Sequence, residues 1–291
     1  MMVQLESRPD PEDQAQTGYR IQVKEVKFSY PGGVQALAGV SLEIQPGELV
    51  AVVGQNGAGK TTLARVLNGL LRPEQGEVWI GDWDTRQYDV SRLARRVGYV
   101  FQNPDDQLFC RTVGEEVGFG PRNLKFSPQR SAELTRRAIE LTELQGKELL
   151  NPYDLSPTWR KMVAMASILA MDTPVLIFDE PTTGQDAGSV RRIGGIIASL
   201  HQSGKTVIAI THDIDFCAEN FERMIVMGAG KILLDGPVSQ TLAEKEILSS
   251  TYVEQPQLTR LGQRLGFEQV ILNSAEFMRA IRKSQPPSSP E

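Results

Sequence analysis

A chain of 291 residues with 40% hydrophobic content can bury a sizeable core, either as one large α/β domain or as a domain of about 230 residues with an appendage. A net charge of −5 without a basic block argues against nucleic acid as a main partner, and no apolar run reaches the roughly 18 residues of a bilayer span. Cys110 and Cys217 lie far apart without metal-ligand spacing, which points to reduced thiols in a cytosolic compartment and away from zinc.

Residues 1–18 are polar, rich in proline, glutamine and acids, and read as a flexible arm unlike a signal peptide. Short β-rich runs follow at 21–30 and 40–44. Leu49-Val50-Ala51-Val52-Val53 is continuously apolar, as expected of a strand buried on both faces. A glycine-rich turn comes next, then Leu63, Val66, Leu67, Leu70 and Leu71 at helical spacing. Residues 97–101 form another strand-like run. Residues 109–155 lack apolar strand runs, and Ser127-Pro128 has the form of a helix start. Residues 103–172 are therefore expected to form an inserted helical subdomain. Apolar strands at 175–178 and 207–210 flank a helical stretch at 188–200, and 224–234 has the pattern of a closing β-hairpin around Gly228-Ala229-Gly230. Residues 237–283 read as a helical extension and 284–291 as a disordered, proline-rich tail. Strand–helix alternation implies a mainly parallel sheet with helices on both faces, and ligands then gather at the carboxyl ends of its strands.

Three motifs fall at such ends. Gly54-Gln55-Asn56-Gly57-Ala58-Gly59-Lys60-Thr61-Thr62 contains G-x-x-x-x-G-K-[ST] between an apolar strand and a helix, the context in which backbone N–H groups cradle nucleotide phosphates. Lys60 is expected to neutralise the β- and γ-phosphates of ATP, and the Thr61 hydroxyl to ligate Mg²⁺. Asp179 and Glu180 close the strand at 175–178; Asp179 suits Mg²⁺ and Glu180 the polarisation of an attacking water, although a carboxylate there also suits a helix cap. His212 ends the next strand, as a capping residue or as a neutral donor to developing phosphate charge. Gln102 follows residues 97–101, either as a loop residue or as a group reaching Mg²⁺ and the water. Tyr30 could stack on adenine, or be the packing aromatic that often ends an edge strand.

Together these motifs resemble the ATP-binding subunit of ABC transporters over roughly residues 20–236. Their order is that of the family: Tyr30, Walker A at Gly54 to Thr62, Q-loop at Gln102, signature, Walker B ending in Asp179 and Glu180, D-loop at Asp186, and switch histidine at His212. The resemblance implies an α/β P-loop NTPase core at 19–236, opened by antiparallel β strands, that hydrolyses Mg·ATP with catalytic Glu180, His212 and Gln102 and with Mg²⁺ on Thr61, Gln102 and Asp179. It also implies a head-to-tail pair in which each ATP lies between one subunit's Walker motifs and the other's signature. More narrowly, Gln102-Asn103-Pro104-Asp105-Asp106-Gln107-Leu108-Phe109 and the segment at 253–261 are similar to the ATPases of energy-coupling factor (ECF) importers of vitamins, cobalt or nickel. That likeness implies a second ATPase subunit, a transmembrane T component, a substrate-binding S component, and a peripheral place on the cytoplasmic face of a prokaryotic membrane. An ATPase of another ABC transporter class and a regulatory ATP binder are the alternatives.

One departure stands out. Where the family signature reads L-S-G-G-Q, this chain has Leu155-Ser156-Pro157-Thr158-Trp159. Proline has no N–H, and Thr158 and Trp159 add side chains where backbone must approach the partner's γ-phosphate. Pro157 also starts a helix well, and Trp159 can pack on a neighbour. The expectation is an unequal heterodimer: this chain's Walker side is complete, while the site facing Ser156, Pro157, Thr158 and Trp159 is weak.

Overall fold

A computed structural model of the chain describes residues 19–284. The arm expected at 1–18 and the tail beyond 284 lie outside the described residues. In chain order the elements are β1 (Ile21–Tyr30), β2 (Val34–Ile44), β3 (Leu49–Val53), α1 (Lys60–Leu67), β4 (Gln75–Ile80), β5 (Trp83–Asp84), α2 (Val90–Leu93) and β6 (Val97–Val100). Then follow α3 (Val113–Asn123), α4 (Pro128–Leu141), α5 (Pro157–Leu169), β7 (Val175–Asp179), α6 (Ala187–Gln202), β8 (Thr206–Ile210), α7 (Ile214–Asn220), β9 (Arg223–Gly228) and β10 (Lys231–Pro237). Four helices close the described chain: α8 (Val238–Thr241), α9 (Lys245–Ser250), α10 (Gln257–Arg264) and α11 (Ser274–Ser284).

The strands form two sheets. An antiparallel one has the order β2-β1-β4-β5, and the larger one the order β10-β9-β3-β8-β7-β6. In the larger sheet every neighbouring pair is parallel except β9 with β10. This is an α/β core built on a mainly parallel sheet, with an antiparallel β layer beside it.

Continuous burial of β3 is what the unbroken apolar run implies, because its two faces serve different cores. Val50 and Val52 face a cluster with Leu63, Val66 and Leu67 of α1 and with Ile21, Val23 and Leu37 of the antiparallel sheet. Leu49, Ala51 and Val53 face the other way, onto Phe178, Met162, Met165, Ile193 and Ile197. Residues between β6 and β7 form the helices α3, α4 and α5, which pack on one another.

Two sequence expectations shift, and one strand has no counterpart among them. Helical spacing continued to Leu71, yet α1 stops at Leu67: Asn68 caps it and Gly69 turns to φ 78°, a left-handed stop signal. Tyr30 does not end an edge strand, since β1 lies between β2 and β4. The strand β4 has a weak pattern, Gln-Gly-Glu-Val-Trp-Ile, and is made by pairing with β1.

Burial decides where truncation hurts. Phe178 is wholly buried between β7 and the helical face, whereas Phe109 is 61% exposed. Phe178→Ala is expected to lower the unfolding free energy by about 3–5 kcal/mol in urea denaturation, and Phe109→Ala by less than about 1 kcal/mol.

Candidate nucleotide site

The glycine-rich turn between β3 and α1 is shaped by close backbone approaches. Gly54 sits at φ 147°, where a Cβ would come within 2.2 Å of the Met227 carbonyl of β9. Gly59, at φ 100°, caps α1, and a Cβ there would meet the Ala36 carbonyl of β2 at 2.4 Å. The turn joining β9 and β10 buttresses the loop further, because Gly230 donates its N–H to Ala58 O at 3.1 Å. With the backbone held this way, the unpaired first-turn amides of α1 open onto the space in front of the loop. Lys60 Nζ crosses that space to donate to Gly54 O at 2.7 Å and Gln55 O at 3.1 Å. Burial pulls the Lys60 ammonium below its ordinary pKa, and the nearby Glu180 and Asp179 carboxylates oppose the shift.

Strand β7 brings the carboxylates. Thr61 Oγ1 donates to Asp179 Oδ1 at 3.2 Å, and the buried Tyr99 hydroxyl of β6 donates to Asp179 Oδ2 at 2.6 Å. Burial raises the Asp179 pKa, while the bonds from Tyr99 and Thr61 pull it back. Burial also pushes the Tyr99 phenol well up, so it stays a donor. Glu180 adopts φ 49°, unusual for a side chain of its size, and its N–H donates to Ile210 O of β8 at 2.7 Å. Its Oε2 lies 2.8 Å from His212 Nδ1 and accepts from Thr183 Oγ1 at 3.2 Å.

Several local alternatives are now decided. Neither Asp179 nor Glu180 caps a helix, since α6 starts at Ala187 and its cap is Asp186, which accepts from Ser189 N at 2.8 Å. Nor is His212 a cap; Asp213 fills that position for α7. Tyr30 ends next to the loop, its hydroxyl 3.2 Å from Thr62 Oγ1 and its ring edge-on to Phe28. Lys60, Thr61, Asp179, Glu180 and His212 are thus brought together. The Gln102 amide is not: the residue is exposed, and its main-chain carbonyl is what is engaged.

In the segment that the sequence aligns with the family signature, Pro157 is the first residue of α5 and Ser156 its cap, accepting from Trp159 N at 3.5 Å. The Trp159 ring has Lys147 Nζ 4.6 Å and Arg192 Cζ 5.1 Å from its centroid. Helix-start and packing roles are therefore both present, and the two signature glycines remain replaced by Pro157 and Thr158.

Three polar residues at the site escaped the sequence reading: Thr183, Tyr99 and Lys161. A tyrosine inside a buried strand requires a partner for its hydroxyl, which was the available signal. Lys161, on the second turn of α5, donates from Nζ to Phe101 O at 3.2 Å and Gln102 O at 2.7 Å. Burial lowers its pKa to about 8.

Compared with known proteins, the chain matches a family model described as ABC transporter over residues 37–183. It is similar to an energy-coupling factor transporter ATP-binding protein of Methanothermobacter thermautotrophicus, 38% identical over 254 residues that cover 85% of this chain and 81% of the relative. The chain spans less than half the length of three other curated relatives, putative ABC transporter ATP-binding proteins 38–40% identical to it, covering 44%, 45% and 41% of them. Among solved structures, CbiO1 from Clostridium perfringens, part of the ABC transporter complex CbiONQ, superposes with a TM-score of 0.72 at 32% identity, over 86% of this chain and all of that one. A dimeric ATP-binding cassette in a post-hydrolysis state with ADP and Pi superposes with a TM-score of 0.69 at 28% identity, over 75% of this chain and 98% of that one.

The loop geometry makes a direct prediction. Removing the Lys60 cation should weaken ATP binding about 10- to 100-fold, as expected for a lost charged hydrogen bond. Titration of Lys60→Ala with a fluorescent ATP analogue measures it, and Gly59→Ala should lose binding through the Ala36 clash.

Proposed function

We propose a specific task for this chain, which belongs to the ABC transporter family of ATP-binding proteins: it hydrolyses ATP to energise import of a vitamin or transition metal, as one half of an unequal ATPase pair. The observation that carries the hydrolytic reading is the Glu180–His212 contact of 2.8 Å beside the Thr61–Asp179 pair. In this arrangement Lys60 and the first-turn amides of α1 hold the triphosphate. Glu180 accepts the proton of the attacking water, and His212 fixes its carboxylate. Such preorganised donors and bases supply most of the acceleration in phosphoryl transfer.

The donor set fits Mg²⁺. Thr61 hydroxyl and Asp179 carboxylate are hard oxygen ligands side by side, and among the described residues no cluster of three or more His, Cys, Asp or Glu offers an all-protein cage. Mg²⁺ takes few protein ligands and keeps waters and phosphate oxygens. Bound with ATP, it neutralises charge on the β- and γ-phosphates. Thr61 and Asp179 would hold it, with Gln102 joining only if its amide turns inward.

The importer assignment rests on the ECF-type relative, on the CbiO1 likeness and on the Gln102 to Phe109 sequence. It implies T and S components in the membrane, with this chain peripheral on the cytoplasmic face. No helix among the described residues is long and apolar enough to cross a membrane. The partner's ATP faces Pro157-Thr158-Trp159, where one amide is absent and two side chains intrude, so that site is the weak one. A regulatory ATP binder is the second reading, favoured by this signature and opposed by the Glu180–His212 contact.

Single carboxylate mutants in the assembled complex test the assignment. Glu180→Gln should cut steady-state ATP turnover at least ~100-fold, while the equivalent change in the partner ATPase leaves most of it. The reverse pattern would overturn the assignment of the weak site, equal losses from both would sink the unequal-pair reading, and indifference to both would sink the hydrolytic one.

A further inference from the structure

Lys161 has one of the most buried side chains in the protein, at 1% exposure, and it carries a charge in a helix otherwise packed with Met162, Val163, Ala164 and Met165. A methionine or leucine would fill the same volume without desolvating an ammonium. Its hydrogen bonds show what the cation does there. Nζ donates to the carbonyls of Phe101 and Gln102, the residues that lead from β6 into the Gln102 loop. The Asp179 and Glu180 carboxylates lie close enough to counter the burial of its charge.

Other bonds stitch the same loop to the same helix. Arg160 pairs with Asp105 at 2.8 Å; Gln107 donates to Ala164 O at 2.6 Å and accepts from Phe101 N at 3.1 Å. Among these only Lys161 is a buried charge, and only Lys161 grips the main chain at Gln102 itself. The two part-buried carbonyls it holds would lose that charged donor if it were removed, and with it the direct side-chain link between the helix and the main chain at Gln102.

We infer that Lys161 is a positioning residue of the ATPase reaction, tying the main chain of Phe101 and Gln102 to the start of α5. The loop that carries Gln102, the carboxylates at the end of β7 and the helix terminus at Ser156-Pro157 then keep one fixed relation. The reaction it serves rests on the proposed hydrolytic function, while the tether is a matter of geometry alone.

The test uses the assembled complex with Lys161→Met and Lys161→Arg, reading kcat and KM for ATP and the hydrogen exchange of the amides between 102 and 107. Lys161→Met is expected to lower kcat ~10- to 100-fold, the scale of a small misplacement of reacting groups, with KM within about twofold. Those amides should exchange at least ~10-fold faster, the opening a lost tether allows, with the remainder unchanged. Lys161→Arg, which keeps a cation, should recover most of both. A Lys161→Met complex with kcat within about twofold of the parent, or with unaltered exchange at 102–107, overturns the inference. So does exchange accelerated throughout the chain, the mark of a merely structural role. If Lys161→Met does not assemble, Lys161→Gln, which keeps donors without charge, takes its place with the same outcomes. Should Glu180→Gln leave turnover unchanged, the hydrolytic reading fails, and the exchange measurement still decides the tether.

Discussion

The site depends on three strands that lie side by side and point the same way. In the order β3-β8-β7, Val52 is level with Ile210, and Ile210 is level with Asp179. Parallel pairing therefore fixes the height at which each strand ends, and the chain leaving each one enters the same space. From β3 comes the Gly54 to Thr62 loop, from β7 the Asp179-Glu180 pair, from β8 Thr211 and His212. A slip of register between β3 and β8 would separate Thr61 from Asp179, and one between β8 and β7 would also part His212 from Glu180, contacts that now lie at 3.2 and 2.8 Å.

Around this frame, polar groups are satisfied by neighbours that are themselves fixed. The loop is braced from behind by Met227 and Ala36 of the flanking strands, approaches that only glycine at Gly54 and Gly59 permits, and by Gly230 of the turn between β9 and β10. Two buried cations, Lys60 and Lys161, stand near two carboxylates, Asp179 and Glu180. Tyr99 and Thr61 divide the two oxygens of Asp179 between them, and His212 and Thr183 meet on one oxygen of Glu180. Such a network is costly if any member is left alone, which is why its geometry is closely held.

Much of this was legible because apolar runs and motif spacing report local rules. The strands at 21–30, 49–53 and 207–210 could be read, since burial on one or both faces leaves a direct trace in residue type. What could not be read came from partners distant in sequence. Gln75–Ile80 is a strand because β1 pairs with it, and its Gly76 lies so close to Lys24 that a Cβ would meet that carbonyl at 2.3 Å. Tyr99 and Lys161 look like ordinary strand and helix residues until β6, β7 and α5 are packed together. The Asn68-Gly69 stop was present in the sequence and was outvoted by the spacing of Leu70 and Leu71.

The signature is where local and functional demands separate. Ser156 and Pro157 make a sound start for α5, and Trp159 is lodged against two cations, so the helix is well formed. What the segment gives up is bare backbone at the surface proposed to face a second nucleotide. Restoring it tests the central claim of unequal sites most directly. In a complex whose proposed hydrolytic carboxylate is silenced by Glu180→Gln, Pro157→Gly with Thr158→Gly and Trp159→Gln should raise the remaining ATP turnover at least ~10-fold, the scale of a regained transition-state donor. Turnover that stays the same or falls would contradict the account.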